Sequence, residues 1–423
     1  MARKMKDSGI EWIGEIPEGW EVAPLKRFAS IQTGNTPTKT SDSNYYASTG
    51  IPWIKPDNLG YSHSISKTSE YLTSEGALCA RIMPPNTVYV CCIGSLGKVG
   101  YSSISCACNQ QINALIFNDL MFWKYGYYLT IAQESQYLLF GNGNVLQIIN
   151  STSQGNIACV LPPLENQHLT ACYLDSVCSD TEVLISKTRS SIEEYKKLKQ
   201  AVITQAVTKG VRGKREMKDS GVEWIGEIPM DWTIQRFARV AEVKSNLVSP
   251  DNYLEYPQIS PENIEKDSGK LLLPCKTVGE VGIISGNHLF YKGQILYSKI
   301  RPKLNKVCIA PFDGLCSADM YPIETNNDTR YIMYCILSNG FLQQVSMITE
   351  NRVKMPKINQ TELSKLLLAI PNFLAEQKEI ADYLDAKCAE IDRLIAKKEQ
   401  LVKELERYKR SLIYEVVTGK REV

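Results

Sequence analysis

The sequence has little of what most catalytic sites require. Only three histidines occur in 423 residues, His63, His168 and His288, on unrelated segments, so no histidine-based triad is in view. The thirteen cysteines are scattered and form no Cys-x-x-Cys pair. Zinc sites want paired ligands at short spacing, so free thiols acting as small hydrophobes are expected. "GSLGKVG" (Gly94 to Gly100) lacks the four-residue spacing and the Ser/Thr after lysine of a phosphate loop. "FGNGN" at Phe140 is a turn and no dinucleotide site. "MPPN" and "LPPL" lack the polar residue before Pro-Pro and the aromatic after it that adenine methylation chemistry needs. No run of about 18 apolar residues could span a membrane, and no signal peptide is visible; a cytoplasmic chain is expected. Neither sign of charge dominates: 48 Lys and Arg against 46 Asp and Glu leave a net +2. That balance neither demands nor excludes a polyanionic partner, so local clustering decides. The chain reads as non-catalytic.

What the sequence does have is a repeat. "MKDSGIEWIGEIPEGW" (Met5 to Trp20) returns as "MKDSGVEWIGEIPMDW" (Met217 to Trp232), with thirteen of sixteen positions identical. The segment before the second copy repeats too. "LPPLENQHLTACYLDSVCSDTEVLISK" from Leu161 and "IPNFLAEQKEIADYLDAKCAEIDRLIAKK" from Ile370 align at an offset of 210 (377 − 167 for the glutamines). Gln167 then pairs with Gln377, Asp175 with Asp385 and Cys178 with Cys388. Gly213-Lys214-Arg215-Glu216 likewise matches Gly419-Lys420-Arg421-Glu422. The order is opening motif, variable region, spacer, twice over. Two copies imply duplication rather than a solenoid. A chain whose end resembles the sequence before its second opening predicts a cyclic, pseudo-two-fold arrangement with the termini close together. Four segments follow: 1–160, 161–215, 216–369 and 370–423.

Both spacers predict long helices. Ile380, Leu384, Lys387, Ile391, Leu394, Lys398, Leu401, Leu405, Tyr408 and Leu412 alternate steps of four and three, a heptad seam containing two lysines. A weaker seam runs through Leu174, Val177, Thr181, Leu184, Tyr195, Leu198 and Val202. Pro162-Pro163 and Pro371 precede the helices, and Gly210 and Gly419 follow them as stops. Each covers about 40 residues, roughly 60 Å. Two related helices pack most simply antiparallel.

The variable regions, 21–160 and 233–369, share little with each other beyond their opening motifs. "NTVYVCCIGS", "NALIFN", "GQILYSKI" and "NKVCIAPF" read as strands between turns; "DLMFWKYGYYLTIAQESQYLL" and "DTRYIMYCILSNGFLQQVSM" read as helix. These are α+β or mostly-β globules. "YKGQILYSKIRPKLNK" carries Lys292, Lys299, Arg301, Lys303 and Lys306 without an acid and with Tyr291 and Tyr297 interleaved. That pattern suits phosphate contact, and equally a solvated strand and loop. Lys39, Lys55, Lys67 and Lys98 form a thinner analogue in the first region. Asn58, Asn109, Gln110 and Gln111 could read adenine or serve as ordinary turn amides.

Together the doubled opening motif, "GIPWIKPDNLG", "GQILYSKIRP", "GLCSADMYPI" and the two spacer helices resemble the specificity subunit of type I restriction–modification enzymes, over essentially the whole chain. The resemblance implies an α+β fold: two target recognition domains of mixed α/β structure, separated by two long antiparallel coiled-coil helices with pseudo-two-fold symmetry. Each domain would read one half of a bipartite, asymmetric site in double-stranded DNA. The helices would set the gap and dock two modification subunits, and restriction subunits would join that core. S-adenosylmethionine, ATP and Mg²⁺ would sit on those partners, with no cofactor, metal or catalytic residue here. DNA contact is expected from Lys39, Lys55, Asn58, Lys98, Asn109, Gln110, Lys292, Lys299, Arg301, Lys303 and Lys306. Partner docking is expected from Leu174, Leu184, Tyr195, Leu384, Ile391, Leu394 and Leu405. The alternative is a duplicated coiled-coil scaffold that binds only proteins.

Overall fold

The computed structural model describes residues 3–37, 43–60, 64–141, 147–350, 352 and 356–423. The chain forms two compact units, one from Met1–Arg189 with Glu399–Val423, the other from Ser190–Lys398. These units do not follow the four sequence segments. The central helix (Leu164–Lys209) and the C-terminal helix (Leu374–Val417) each contribute one stretch to either unit.

In the first unit an antiparallel sheet runs in the order Val99–Ser102, Thr87–Cys91, Ile112–Phe117, Ala29–Thr33. A second sheet contains Cys106–Cys108, parallel to Ile51–Ile54 and antiparallel to Ile82–Met83. The second unit repeats the plan. Val307–Ile309, Ile295–Ser298, Met320–Thr325 and Ala241–Val243 form its first sheet in the same order. Gly314–Cys316 lies parallel to Gln258–Ile259 and antiparallel to Asn287–Phe290. The variable regions therefore share far more than their openings. Topology is kept by which positions are buried and not by residue identity: Val88 matches Ile295 and Leu115 matches Ile323, all fully buried.

In each unit two short helices cover the first sheet, Trp123–Ala132 and Glu134–Phe140 in one, Thr329–Leu337 and Asn339–Thr349 in the other. Each core is closed by both long helices. Leu174, Leu412, Ile413 and Val416 join Phe28, Val90 and Tyr125; Ile203, Val207, Ile380 and Leu384 join Phe237, Ile323 and Tyr331. The helices pack antiparallel within each unit. In the first, Glu182 meets Lys409, and Arg189 Nη2 lies 2.6 Å from Glu406 Oε1. In the second, Lys199 Nζ lies 2.9 Å from Asp392 Oδ1, and Arg212 Nη2 lies 2.7 Å from Glu379 Oε2.

The seams differ from those expected. Leu394, Leu401 and Tyr408 are exposed, and so are Leu184 and Leu198. The positions one residue later turn inward: Val402 and Lys409 on one helix, Cys178, Ile185, Lys199 and Ile203 on the other. Lys387 is exposed and paired with Glu390. At each shifted site two neighbouring residues compete for the interior, and at two of them a lysine displaces Tyr408 or Leu198 because a carboxylate awaits it across the seam. Thr181 and Thr188 are buried, their hydroxyls donating to Val177 O and Leu184 O at 2.7 Å, so they need no partner from the facing helix.

Each copy of the opening motif receives the end of a long helix. Gly419 has φ +73 and Gly210 φ +75, the left-handed stop that glycine adopts cheaply. A Cβ on Gly419 would stand 2.5 Å from Pro17 Cδ and 2.8 Å from Trp20; one on Gly210 would stand 3.4 Å from Trp232. Trp20 and Trp232 are buried. Tyr414 Oη donates to Trp12 O at 2.9 Å and Lys420 Nζ to Glu15 O at 3.3 Å, which ties the two ends of the chain into one unit. A chain opened near Glu216 and joined from Val423 to Met1 should therefore fold. Its unfolding free energy, extrapolated from urea, should stay within about 10–15% of the parent's, the error of such extrapolations; a chain that fails to fold would contradict closure by these contacts.

Candidate nucleic-acid interface

Two loops occupy the same place in the two units. Cys91 N donates to Lys98 O at 2.9 Å, and Ser298 N donates to Lys306 O at 2.9 Å. Between these anchors Gly94 N donates to Gln147 O at 3.0 Å and Arg301 N to Pro356 O at 2.8 Å. Gly94 and Arg301 both have positive φ, +82 and +44. A backbone shape glycine takes freely is thus imposed on an arginine, at a cost of about 1–2 kcal/mol. Non-glycine residues held this way concentrate at functional sites. Lys98 and Lys306 are therefore counterparts.

The basic run divides by what its side chains touch. Lys299 Nζ donates to Ala318 O at 2.5 Å and stands 5.3 Å from the centre of the Tyr321 ring; Lys306 Nζ donates to Pro261 O at 2.7 Å. These two ammonium groups are engaged within the fold. Arg301, Lys303 and Lys292 are exposed, and their side chains have no partner among the described residues. In the first unit Lys98 is exposed, while Lys55 is half-buried, 2.6 Å from Glu70 Oε1 and 4.9 Å from the centre of the Trp53 ring. Lys39 lies outside the described residues.

Two of the amides expected to read bases serve the backbone. Asn58 Oδ1 accepts from Lys55 N at 2.9 Å, capping the turn Pro56–Asn58. Asn263 caps Pro261–Asn263 through Ser260 N at 2.8 Å, the same device in the other unit. Asn109 is buried and ties a turn, its Oδ1 accepting from Gln111 N and its Nδ2 donating to Gln111 Oε1. Gln110 is exposed and pairs with Thr36 Oγ1.

The spacer residues repeated in sequence prove to be clamps between helix and globule. Gln167 Oε1 accepts from Phe122 N at 2.7 Å while its Nε2 donates to Pro162 O; Gln377 Oε1 accepts from Asp328 N at 3.0 Å while its Nε2 donates to Pro371 O. Asp175 takes the Tyr128 hydroxyl at 2.8 Å and an ion pair from Lys124. Asp385 takes the Tyr334 hydroxyl at 2.7 Å and an ion pair from Arg330. Burial, and then the neighbouring carboxylate, push both tyrosine hydroxyls far up, so they remain donors. Of the residues expected to dock partners, Leu174, Leu384 and Ile391 are buried in this chain's own packing and hold it together. Leu184 and Leu394 are exposed, Leu405 and Tyr195 half-buried, with Lys398 Nζ 5.5 Å from the centre of the Tyr195 ring. The acid–lysine pairs of the seams went unread, although Glu182 and Asp392, like Lys199 and Lys409, stand 210 apart (392 − 182; 409 − 199).

Among the described residues no group of His, Cys, Asp and Glu could hold a metal ion. Ten cysteines are buried, and burial pushes Cys92, Cys108, Cys159 and Cys335 up to about 12, so they stay thiols. No described helix is long and apolar enough to cross a membrane.

The split within the basic run gives a prediction. Arg301→Ala and Lys303→Ala should weaken DNA binding, each lowering the salt slope by about one per lost phosphate contact. The same substitution at Lys299 or Lys306 should chiefly lower stability. Equal binding by the double variant and the parent in filter retention across a salt series would remove these two side chains from the interface.

Comparisons with known proteins bear on the family and the fold. A family profile described as "Type I restriction modification DNA specificity domain" matches residues 17–194 and 229–407, once in each half. The EcoDI specificity subunit of Escherichia coli is 35% identical over 269 residues, 60% of this chain and 60% of its own length. The MjaVIII specificity subunit of Methanocaldococcus jannaschii is 24% identical over 431 residues, 96% of this chain and 93% of its own. A solved chain from work on complex assembly and conformational transition of the type I R-M system superposes with a TM-score of 0.70 at 14% identity, covering 96% of this chain and 99% of that one, which speaks for the fold. With both halves of its length matched, the chain belongs to the type I restriction–modification DNA specificity family.

Proposed function

We propose that this chain is the non-catalytic DNA-recognition subunit of a type I restriction–modification complex, each unit reading one half of a bipartite site. The observation that carries the reading is the pair of equivalent loops, 92–98 and 299–306, set on one strand framework but with different side chains outward. A common frame with divergent tips suits two readers of different sequences. Direct readout needs side chains at base edges and phosphate contacts to fix register; Arg301, Lys303 and Lys98, all exposed, would supply them in this reading. The helices would set the gap between half-sites and dock two modification subunits, with restriction subunits completing the assembly. The exposed apolar residues Leu184, Leu401 and Tyr408 in one unit, and Leu198 and Leu394 in the other, suit that docking, since apolar surface left on a rod favours a protein partner. S-adenosylmethionine, ATP and Mg²⁺ would belong to those subunits, in the cytoplasm.

The rival scaffold reading parts from this one on salt. A DNA reader should lose affinity steeply as salt rises, log K falling by about 0.9 for each phosphate contact per decade. Retention of duplex DNA by the chain with its modification subunits, followed from low to physiological salt, should show such a slope, and that complex should methylate a split motif. Flat or absent retention would favour the scaffold.

A further inference from the structure

In the first unit a cavity of about 180 Å³ opens beside the central helix, walled by the rings of Tyr101, Tyr127 and Tyr128 and by Asp175 and Glu182, with Ser179 exposed at its mouth. The Tyr101 and Tyr127 rings meet edge-on with centroids 4.8 Å apart, and Tyr127 and Tyr128 at 5.0 Å. Tyr127 is only 2% exposed, yet its hydroxyl has no hydrogen-bond partner among the described residues. Glu182 pairs with Lys409 through Oε1, and no second cation is bonded to it among the described residues.

The second unit supplies the comparison. At the offset of 210, Glu182 corresponds to Asp392, Asp175 to Asp385 and Lys409 to Lys199. Tyr128 corresponds to Tyr334, whose hydroxyl bonds Asp385 as that of Tyr128 bonds Asp175. Asp392, however, holds two lysines. Lys199 Nζ lies 2.9 Å from Oδ1, and Lys270 Nζ lies 2.6 Å from Oδ2. Lys270 arrives on a loop of the recognition domain. A Cβ on Gly269 beside it would stand 3.5 Å from the sulfur of Met333, the counterpart of Tyr127. The strand register likewise makes Ile309 the counterpart of Tyr101. One unit thus fills the position with its own ammonium group, and has Met333 and Ile309 where the other has Tyr127 and Tyr101. The other leaves there a carboxylate oxygen, a tyrosine hydroxyl without a partner among the described residues and aromatic rings, whose faces attract cations.

We propose that this cavity is a socket for a lysine side chain of a docked partner protein, its ammonium taking beside Glu182 the place that Lys270 takes beside Asp392. Three features select a lysine. The occupant seen in the counterpart is one. A carboxylate with a single bound ammonium can accept another at its free oxygen. Aromatic walls with a hydroxyl acceptor suit an alkyl stem that ends in a donor. Ser179 and Val183 lie one helical turn apart on the same face, and Val183 is 49% exposed, so the mouth adjoins apolar surface for the body of the partner. The inference rests on the proposed function only in supposing that a protein docks on the central helix.

The test uses n-butylammonium as the lysine stand-in, titrated into the full chain at constant ionic strength while the tyrosine rings are followed by NMR. The Tyr101 and Tyr127 signals should shift along a saturable single-site curve. Tyr127→Phe, which removes a hydroxyl with no hydrogen-bond partner among the described residues, should weaken binding at least threefold. The double variant Glu182→Gln with Lys409→Gln, which leaves no lysine unpaired in the seam, should weaken it at least tenfold. Lys270→Ala should make Tyr334 respond as well. Rings that do not respond, or that respond equally to sodium chloride, would overturn the socket. Spermidine binding at least tenfold tighter than n-butylammonium would replace the protein lysine by a free polyamine. DNA retention measured on the same samples reports the recognition function separately: an unresponsive cavity with intact retention discards the socket alone.

Discussion

The structure depends on two ion pairs at the helix seams, Glu182 with Lys409 and Asp392 with Lys199, each of which buries its lysine against a half-buried acid. The lysines are 5% and 7% exposed. Taking a charge from water is costly, and losing one partner of such a pair typically costs about 3–5 kcal/mol. Each pair therefore penalises any sliding of one helix along the other that would part its members. Burial pushes the Asp392 carboxyl up, but hydrogen bonds from Lys270 and Lys199 outweigh it and hold the group below its usual range. The pair therefore stays charged at neutral pH. Its stabilisation is present above the ordinary aspartate range and is lost as pH falls through the depressed value. The central helix supplies the acid to one unit and the lysine to the other, and the C-terminal helix does the reverse. A duplicated sequence thereby gives two like units from two unlike stretches of helix.

From that register the rest follows. With the helices fixed, Gln167 and Gln377 align the short helices of each globule on the rod, and Asp175 and Asp385 hold them through a tyrosine and a cation. The opening motif is repeated because two helix ends need a receptor. Trp20 takes the turn at Gly419 and Trp232 the turn at Gly210. Arginine stands over each indole, Arg3 at 4.9 Å from the ring centre and Arg215 at 5.8 Å, but the second copy adds Glu376, whose Oε1 lies 2.5 Å from Arg215 Nη1. With the frame secured elsewhere, the loop tips are free to diverge.

The sequence carried most of this plan in its repeat. Duplication, helix limits, glycine stops and the repeated glutamine and aspartate were legible because identity at a fixed offset survives in residues that make specific hydrogen bonds. The seams were legible as helix but not in phase. Leucine and tyrosine at 184, 198, 394, 401 and 408 satisfy a heptad as well as their neighbours do, and a buried lysine is chosen only when its acid is known to face it. The shared strand topology was hidden because burial constrains size and polarity rather than identity. The loops also differ in length, seven positions from Cys91 to Lys98 against eight from Ser298 to Lys306 (98 − 91; 306 − 298). Asn58 looked like a base reader because an amide after Pro-Asp has the same letter whether it caps a turn or faces solvent.

The central claim is that two equivalent frames carry two independent readers. The measurement that addresses it most directly is the methylated DNA motif of a chain whose residues 21–160 are replaced by the corresponding region of another family member, expressed with the modification subunits proposed for it. Because the seam pairs, the glutamine clamps and both opening motifs lie outside the exchanged segment, one half of the motif should change while the other half keeps its sequence. A motif in which both halves change together would contradict the account.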